Sequence, residues 1–133
     1  MVNIKTDKVL INKPNEEIFY FLSNFNNFEK LMPEQVINWN STEDTCSFTV
    51  KGMADIGMRV KEVNKFFLIH IISEGKVPFD FDMMCHIEPA ENNQSQVQLE
   101  LKANMNPMLA MMVKRPLQNL INIMVSKLKE HHG

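Results

Sequence analysis

Glycine is scarce in this chain: there are four in 133 residues, at positions 52, 57, 75 and 133, and none follows an acidic pair. That argues against a glycine-rich loop wrapping a phosphate or sugar pyrophosphate on a strand–helix turn. Cysteine is scarcer still. Cys46 and Cys85 stand alone inside apolar segments, without metal-site spacing. Both read as small buried hydrophobes, no metal or cofactor is expected, and a reduced, cytoplasmic setting follows. Basic residues do not gather: the nearest approach is Lys114-Arg115, with Lys127 and Lys129 further on, in a chain of formal net charge −2. A nucleic-acid partner needs a concentrated basic face, so none is expected. The longest apolar run, Phe66 to Ile72, is interrupted by His70 and is far shorter than the ~18 residues of a membrane span. The N-terminal Met-Val-Asn-Ile-Lys-Thr-Asp-Lys lacks the apolar stretch of a secretory signal. Stable membrane insertion is not expected.

Methionine, by contrast, is abundant. Six of the eleven fall between Met83 and Met112. Its unbranched thioether fills irregular space and adapts to partners of different shape. The bland reading of such residues is core filler; the sharper one is an adaptable apolar pocket where strands meet helix.

The hydropathy pattern supplies the architecture. Val2 to Asn12 reads as a first strand. Asn15 then serves as N-cap of a helix whose first turn carries Glu16 and Glu17 and whose buried face is Ile18, Phe19 and Leu22. A short helical segment from Phe25 to Leu31 is closed by Pro33. From Val36 to about Met105 the period is near two. Cys46, Phe48 and Val50 share one side, as do Ala54, Ile56, Met58 and Val60; Phe79, Phe81, Met83, Cys85 and Ile87 form a third set, and Val97, Leu99, Leu101, Ala103 and Met105 a fourth. Phe66 to Glu74 is apolar on both faces, as a central strand would be. Asn106-Pro107 opens a long helix with a capping residue and a proline in its first turn. Its apolar stripe includes Leu109, Met112, Val113, Leu117, Leu120, Ile121 and Met124, and Pro116 is expected to kink or split it.

The titratable candidates weigh against chemistry. His86 alternates away from Met83 and Cys85, Asp80 and Asp82 share the solvent face, and His70 lies on a strand whose facing is ambiguous. None has an evident acid–base partner. Asp55, Arg59 and Glu62 fit cross-strand pairing better than a cavity mouth. Trp39, the one tryptophan, reads as the cap of a groove end or the anchor of that corner.

The element order is strand, two short helices, about six antiparallel strands and one long terminal helix. With Val9-Leu10-Ile11-Asn12-Lys13-Pro14-Asn15-Glu16-Glu17-Ile18-Phe19, the Asn24-Phe25-Asn26-Asn27-Phe28 turn and the Asn106-Pro107-Met108 helix opening, it resembles the START-like SRPBCC superfamily over essentially the whole chain. That superfamily includes lipid-transfer domains, pollen allergens and polyketide cyclases. The resemblance implies one 1–133 domain with an α+β helix-grip fold: a curved antiparallel sheet of six to seven strands around the C-terminal helix. It also implies an apolar ligand held between them. The ligand-lining residues would be Phe48, Val50, Ile56, Met58, Val60, Phe81, Met83, Cys85, Leu99, Leu101, Ala103 and Met105 on the strands. Leu109, Met112, Val113 and Leu117 would face them from the helix. The expected partner is a small hydrophobic molecule, bound without catalysis. The alternatives are a cyclase or hydratase using the same cavity, and a protein-interaction module like the superfamily's chaperone activators. The chain is also similar to short bacterial members named after orotate phosphoribosyltransferase, but the missing pyrophosphate loop argues against that activity.

Overall fold

The computed structural model describes residues 2–132; Met1 and Gly133, the ends of the expected 1–133 domain, lie outside the described residues. The N-terminal alternation divides into two strands, β1 (Val2–Lys5) and β2 (Val9–Ile11), instead of one strand from Val2 to Asn12. Both pair with the last strand of the sheet, and buried Thr6 bridges the break. The Thr6 N–H donates to the Leu99 carbonyl at 2.9 Å, and the Leu99 N–H donates to the Thr6 hydroxyl at 3.0 Å. The interruption is therefore a hydrogen-bonded bulge, which hydropathy alone does not reveal.

Helix α1 (Asn15–Leu22) begins one residue earlier than expected, with Pro14 at the cap position and no side-chain cap. The Pro14 carbonyl takes the N–H groups of Glu17 and Ile18. Asn15 instead donates its amide to the Phe66 carbonyl at 3.3 Å, tying the helix to a distant turn. Helix α2 (Phe25–Phe28), capped by the Asn24 side chain, runs into a 3-10 turn at Glu29–Leu31. Ile18, Leu22, Phe25, Phe28 and Leu31 are all buried and close one end of the molecule.

Six strands follow in sequence: β3 (Val36–Ser41), β4 (Thr45–Val50), β5 (Ala54–Asn64), β6 (Leu68–Ser73), β7 (Asp80–Ala90) and β8 (Gln94–Asn104). All pairings are antiparallel, in the order β1-β8-β7-β6-β5-β4-β3, with β2 also on β8. The β7–β8 register sets Phe81 opposite Ala103, Met83 opposite Leu101, Cys85 opposite Leu99 and Ile87 opposite Val97. Every one of these is buried, so the alternation read from sequence is the inner face of the sheet.

The terminal helix α3 (Pro107–His132) lies across that face. Asn106 caps it, accepting the Leu109 N–H at 2.8 Å. Pro116 does not split it: the helix is continuous and Pro116 is exposed. The proline ring costs the Met112 carbonyl its helical partner, and Met112 and Pro116 both lie along an open groove beside the helix. Val113, Leu117, Ile121, Met124, Val125 and Leu128 form the buried stripe. The helix rests mainly on β1, β2, β8 and the 3-10 turn. Lys127 donates to the Met32 carbonyl and Gln118 to the Lys5 carbonyl, each at 2.9 Å, fixing this seat from two sides.

One glycine makes a close approach possible. The Glu74 N–H donates to the Gly57 carbonyl at 2.8 Å, and a Cβ on Gly57 would collide with the Glu74 backbone carbonyl. Gly57→Ala is expected to destabilise the protein by about 1–3 kcal/mol in urea unfolding. An unchanged midpoint would mean that the two backbones do not approach here.

Candidate functional site

Because α3 sits toward the β8 side, space remains between it and the other half of the sheet. Beneath the helix is a cavity of ≈ 40 Å³, lined by Met32, Phe48, Ile56, Met58, Phe79, Phe81, Met83, Leu101, Leu117, Leu120, Ile121 and Met124. Every wall residue is apolar. A space of this size admits about one or two waters, and with no polar wall it is expected to be dry. Next to it, an open groove of ≈ 360 Å³ runs between the first half of α3 and the β3–β4 corner. Its apolar walls are Val36, Val50 and Met53 on one side and Leu109, Met112, Val113, Leu120 and Ile123 on the other, with Lys51 and Asn119 among the polar rim. Leu120 lines both spaces.

The residues expected to line a ligand site divide accordingly. Phe48, Ile56, Met58, Phe81, Met83, Leu101 and Leu117 meet around the inner cavity. Val50, Leu109, Met112 and Val113 lie on the outer groove instead, and Met112 is largely exposed there. Cys85, Leu99 and Ala103 border neither space: they are buried on the inner face of β7 and β8, next to the wall residues Met83 and Leu101. Val60 also borders neither, since it sits at a register shift near the far end of β5, and half-buried Met105 precedes the helix. Met32, Leu120, Ile121 and Met124 were not among the expected lining residues, whereas Phe79 shares the inward alternation of Phe81 and Met83. The helical stripe already contained Leu120, Ile121 and Met124, so continuing the lining two turns past Leu117 would have found them. Met32 lies in a connection with no periodicity to signal it. Cys46 and Cys85 are both free and buried, and burial pushes each thiol up to about 12, so neither is a nucleophile.

The titratable candidates lie on the other face of the sheet. His70 Nε2 is 2.8 Å from the Asp82 carboxylate and its Nδ1 is 3.6 Å from Glu62. Asp55 accepts from the Thr49 hydroxyl at 2.7 Å, and Arg59 is 3.6 Å from Glu74. These are cross-strand pairs, and His70, His86, Asp55, Asp80 and Asp82 are all absent from the cavity wall. Among the described residues, no cluster of three or more His, Cys, Asp or Glu could hold a metal ion, and no helix is long and apolar enough to cross a membrane.

No protein-family model and no curated protein matches this sequence. Its fold, however, matches solved structures over nearly the whole chain. It is similar to the protein XoxI from Bacillus cereus, with TM-score 0.79 and 12% identity, covering 99% of this chain and 96% of that one. It is similar to a START superfamily protein from Mycobacterium smegmatis, with TM-score 0.71 and 13% identity, covering 98% and 96%. It is also similar to the di-domain ARO/CYC BexL from the BE-7585A biosynthetic pathway, with TM-score 0.76 and 17% identity. That match covers 99% of this chain but 46% of BexL, so this chain spans less than half of the di-domain protein. The fold is the START-like helix grip.

The outer face carries a pH signature. Glu100 is buried, with His86 Nε2 at 3.0 Å and Lys5 Nζ at 3.8 Å. Burial raises its pKa, but the bonds from His86 and Asn3 and the charges of Lys102 and Lys5 outweigh it and hold the carboxyl below its ordinary 4.5. A carboxyl depressed in the folded state contributes stability above its unfolded pKa, and that contribution disappears as pH falls through the folded value. Glu100→Gln is therefore expected to be less stable than wild type by about 1–3 kcal/mol near neutral pH. In urea unfolding at a series of pH values, the difference should shrink steadily below 4.5. A gap independent of pH would exclude the charged form as its source.

Proposed function

We propose that the chain binds or carries a small hydrophobic molecule, without catalysis, in the space between its sheet and α3. The carrying observation is the wholly apolar cavity that meets an open groove at Leu120. The groove's ≈ 360 Å³ falls in the usual range of ligand pockets, about 300–1,000 Å³. The inner cavity, at ≈ 40 Å³, is a starting point for expansion and not a finished pocket. Four of its wall residues are methionines, Met32, Met58, Met83 and Met124, whose side chains re-pack at low cost. A ligand would lie in the groove and push an apolar end past Leu120. Each buried CH₂ contributes about 0.8 kcal/mol, so ten offset much of the cost of association without any polar contact.

A cyclase or hydratase would need an acid or base at the reacting atoms. The carboxylates and histidines considered for that role belong to the opposite sheet face, which favours binding over catalysis. The ARO/CYC label of BexL therefore lends this chain a ligand shape more than a reaction.

The neutral fluorescent probe N-phenylnaphthylamine tests this reading. It is expected to bind at one site per chain with roughly micromolar affinity and to be displaced by a medium-chain fatty alcohol. Leu120→Trp, which fills the passage, should weaken binding about tenfold or more, and Met111→Ala on the outer side of the helix should not. Probe affinity indifferent to Leu120→Trp, or no saturable binding, would overturn the reading.

A further inference from the structure

We infer that the indole N–H of Trp39 is the hydrogen-bond donor of this site and selects apolar ligands that carry an acceptor oxygen, such as a carbonyl. The inference rests on the binding reading above and specifies its ligand class. Trp39 lies on β3, the edge strand that pairs with β4 alone. Between Ile37 and Asn40 the register shifts, and Asn38 adopts the left-handed conformation with φ 58°. Bulges and left-handed residues of this kind re-aim side chains and concentrate at ligand sites. Here the bulge accompanies an indole that lies flat on Phe48 of the neighbouring strand, with centroids 5.0 Å apart and planes 17° from parallel. Phe48 is itself part of the inner cavity wall, and Val36 and Val50, paired next along the same two strands, border the outer groove. Trp39, half-buried and itself on neither wall, thus stands one ring behind the inner cavity wall.

The polar atom of that indole is in an unusual state. Trp39 Nε1 is buried and has no hydrogen-bond partner, the one such side-chain nitrogen or oxygen among the described residues. Leaving a buried donor unpaired is costly, and nearly all buried polar groups in folded proteins are paired. An indole N–H can only donate, so the missing partner is an acceptor. The inner cavity wall itself supplies no polar side chain. A ligand large enough to enter must displace wall side chains, Phe48 among them. An acceptor at its leading end then meets the one donor available. A hydrocarbon of the same shape gains the same apolar burial but leaves the donor unpaired.

Fluorene and fluorenone share a tricyclic frame and differ by one carbonyl, and Trp39 is the only tryptophan, so it gives a single indole N–H signal. Fluorenone is expected to bind about tenfold more tightly than fluorene. Fluorenone, and not fluorene, should move the indole proton downfield. Trp39→Phe keeps a ring stacked on Phe48 and should bind both compounds equally. Equal affinities in the wild type, a fluorenone preference that survives Trp39→Phe, or an indole signal unmoved by bound fluorenone would overturn the assignment while leaving the binding reading standing. If neither compound binds, the binding reading falls and this inference falls with it. Should Trp39→Phe fail to fold, the indole shift and the two wild-type affinities still decide.

Discussion

The seat of α3 on one side of the sheet is the constraint from which the rest of the molecule follows. Its stripe from Leu117 to Leu128 is buried over β1, β2 and β8, held at its flanks by Gln118 and Lys127. Along β7 and β8 the inward residues Cys85, Leu99 and Ala103 are buried and border neither space. On the same two strands Phe81, Met83 and Leu101, and on β4 and β5 Phe48, Ile56 and Met58, border the inner cavity. One rigid-body placement therefore decides which of many equivalent apolar positions are core and which are site. The two roles share a composition because both are made by burying apolar surface.

That placement also accounts for the division of the space. Leu120 and Leu117 hang over the inner cavity, and the first two turns of the helix, rich in exposed methionine, border or overhang the open side. Polar chemistry is absent from the interior wall and concentrated on the opposite sheet face, where Glu62, His70 and Asp82 pair across strands and Glu100 gathers His86 and Lys5. Keeping titratable groups outside preserves the low-dielectric interior, where an unpaired charge would be costly. Among the described residues Trp39 Nε1 is the one buried side-chain nitrogen or oxygen left without a partner.

Much of this was legible in the sequence, for specific reasons. The inner faces of β7 and β8 follow a period of two without interruption, so their facing was read correctly. The opening of α3 was readable because Asn106-Pro107 combines a cap with a proline that needs no donor. The split of the first strand was not readable, since it depends on Thr6 hydrogen bonds to Leu99, far away in sequence. Nor was the N-terminus of α1: Asn15 looks like a cap, but its amide is engaged by Phe66 across the molecule. For the site, periodicity identifies which residues face inward but not how far the helix stands from each strand. Val60, Cys85, Leu99, Ala103 and Met105 were therefore expected to line a space they do not border, while Met32 and Met124 were missed.

The central claim, that an apolar guest occupies the interior under α3, is tested most directly by the methionine methyl groups themselves. In a protein labelled at the methionine methyls, Met32, Met58, Met83 and Met124 report on the inner cavity, while Met108 and Met111 are exposed on the outer side of the helix. On addition of a saturating apolar ligand, the four inner signals are expected to shift together and to show contacts with it, with Met108 and Met111 unchanged. Shifts confined to Met108 and Met111, with the inner four unmoved, would place the ligand on the surface and contradict the account.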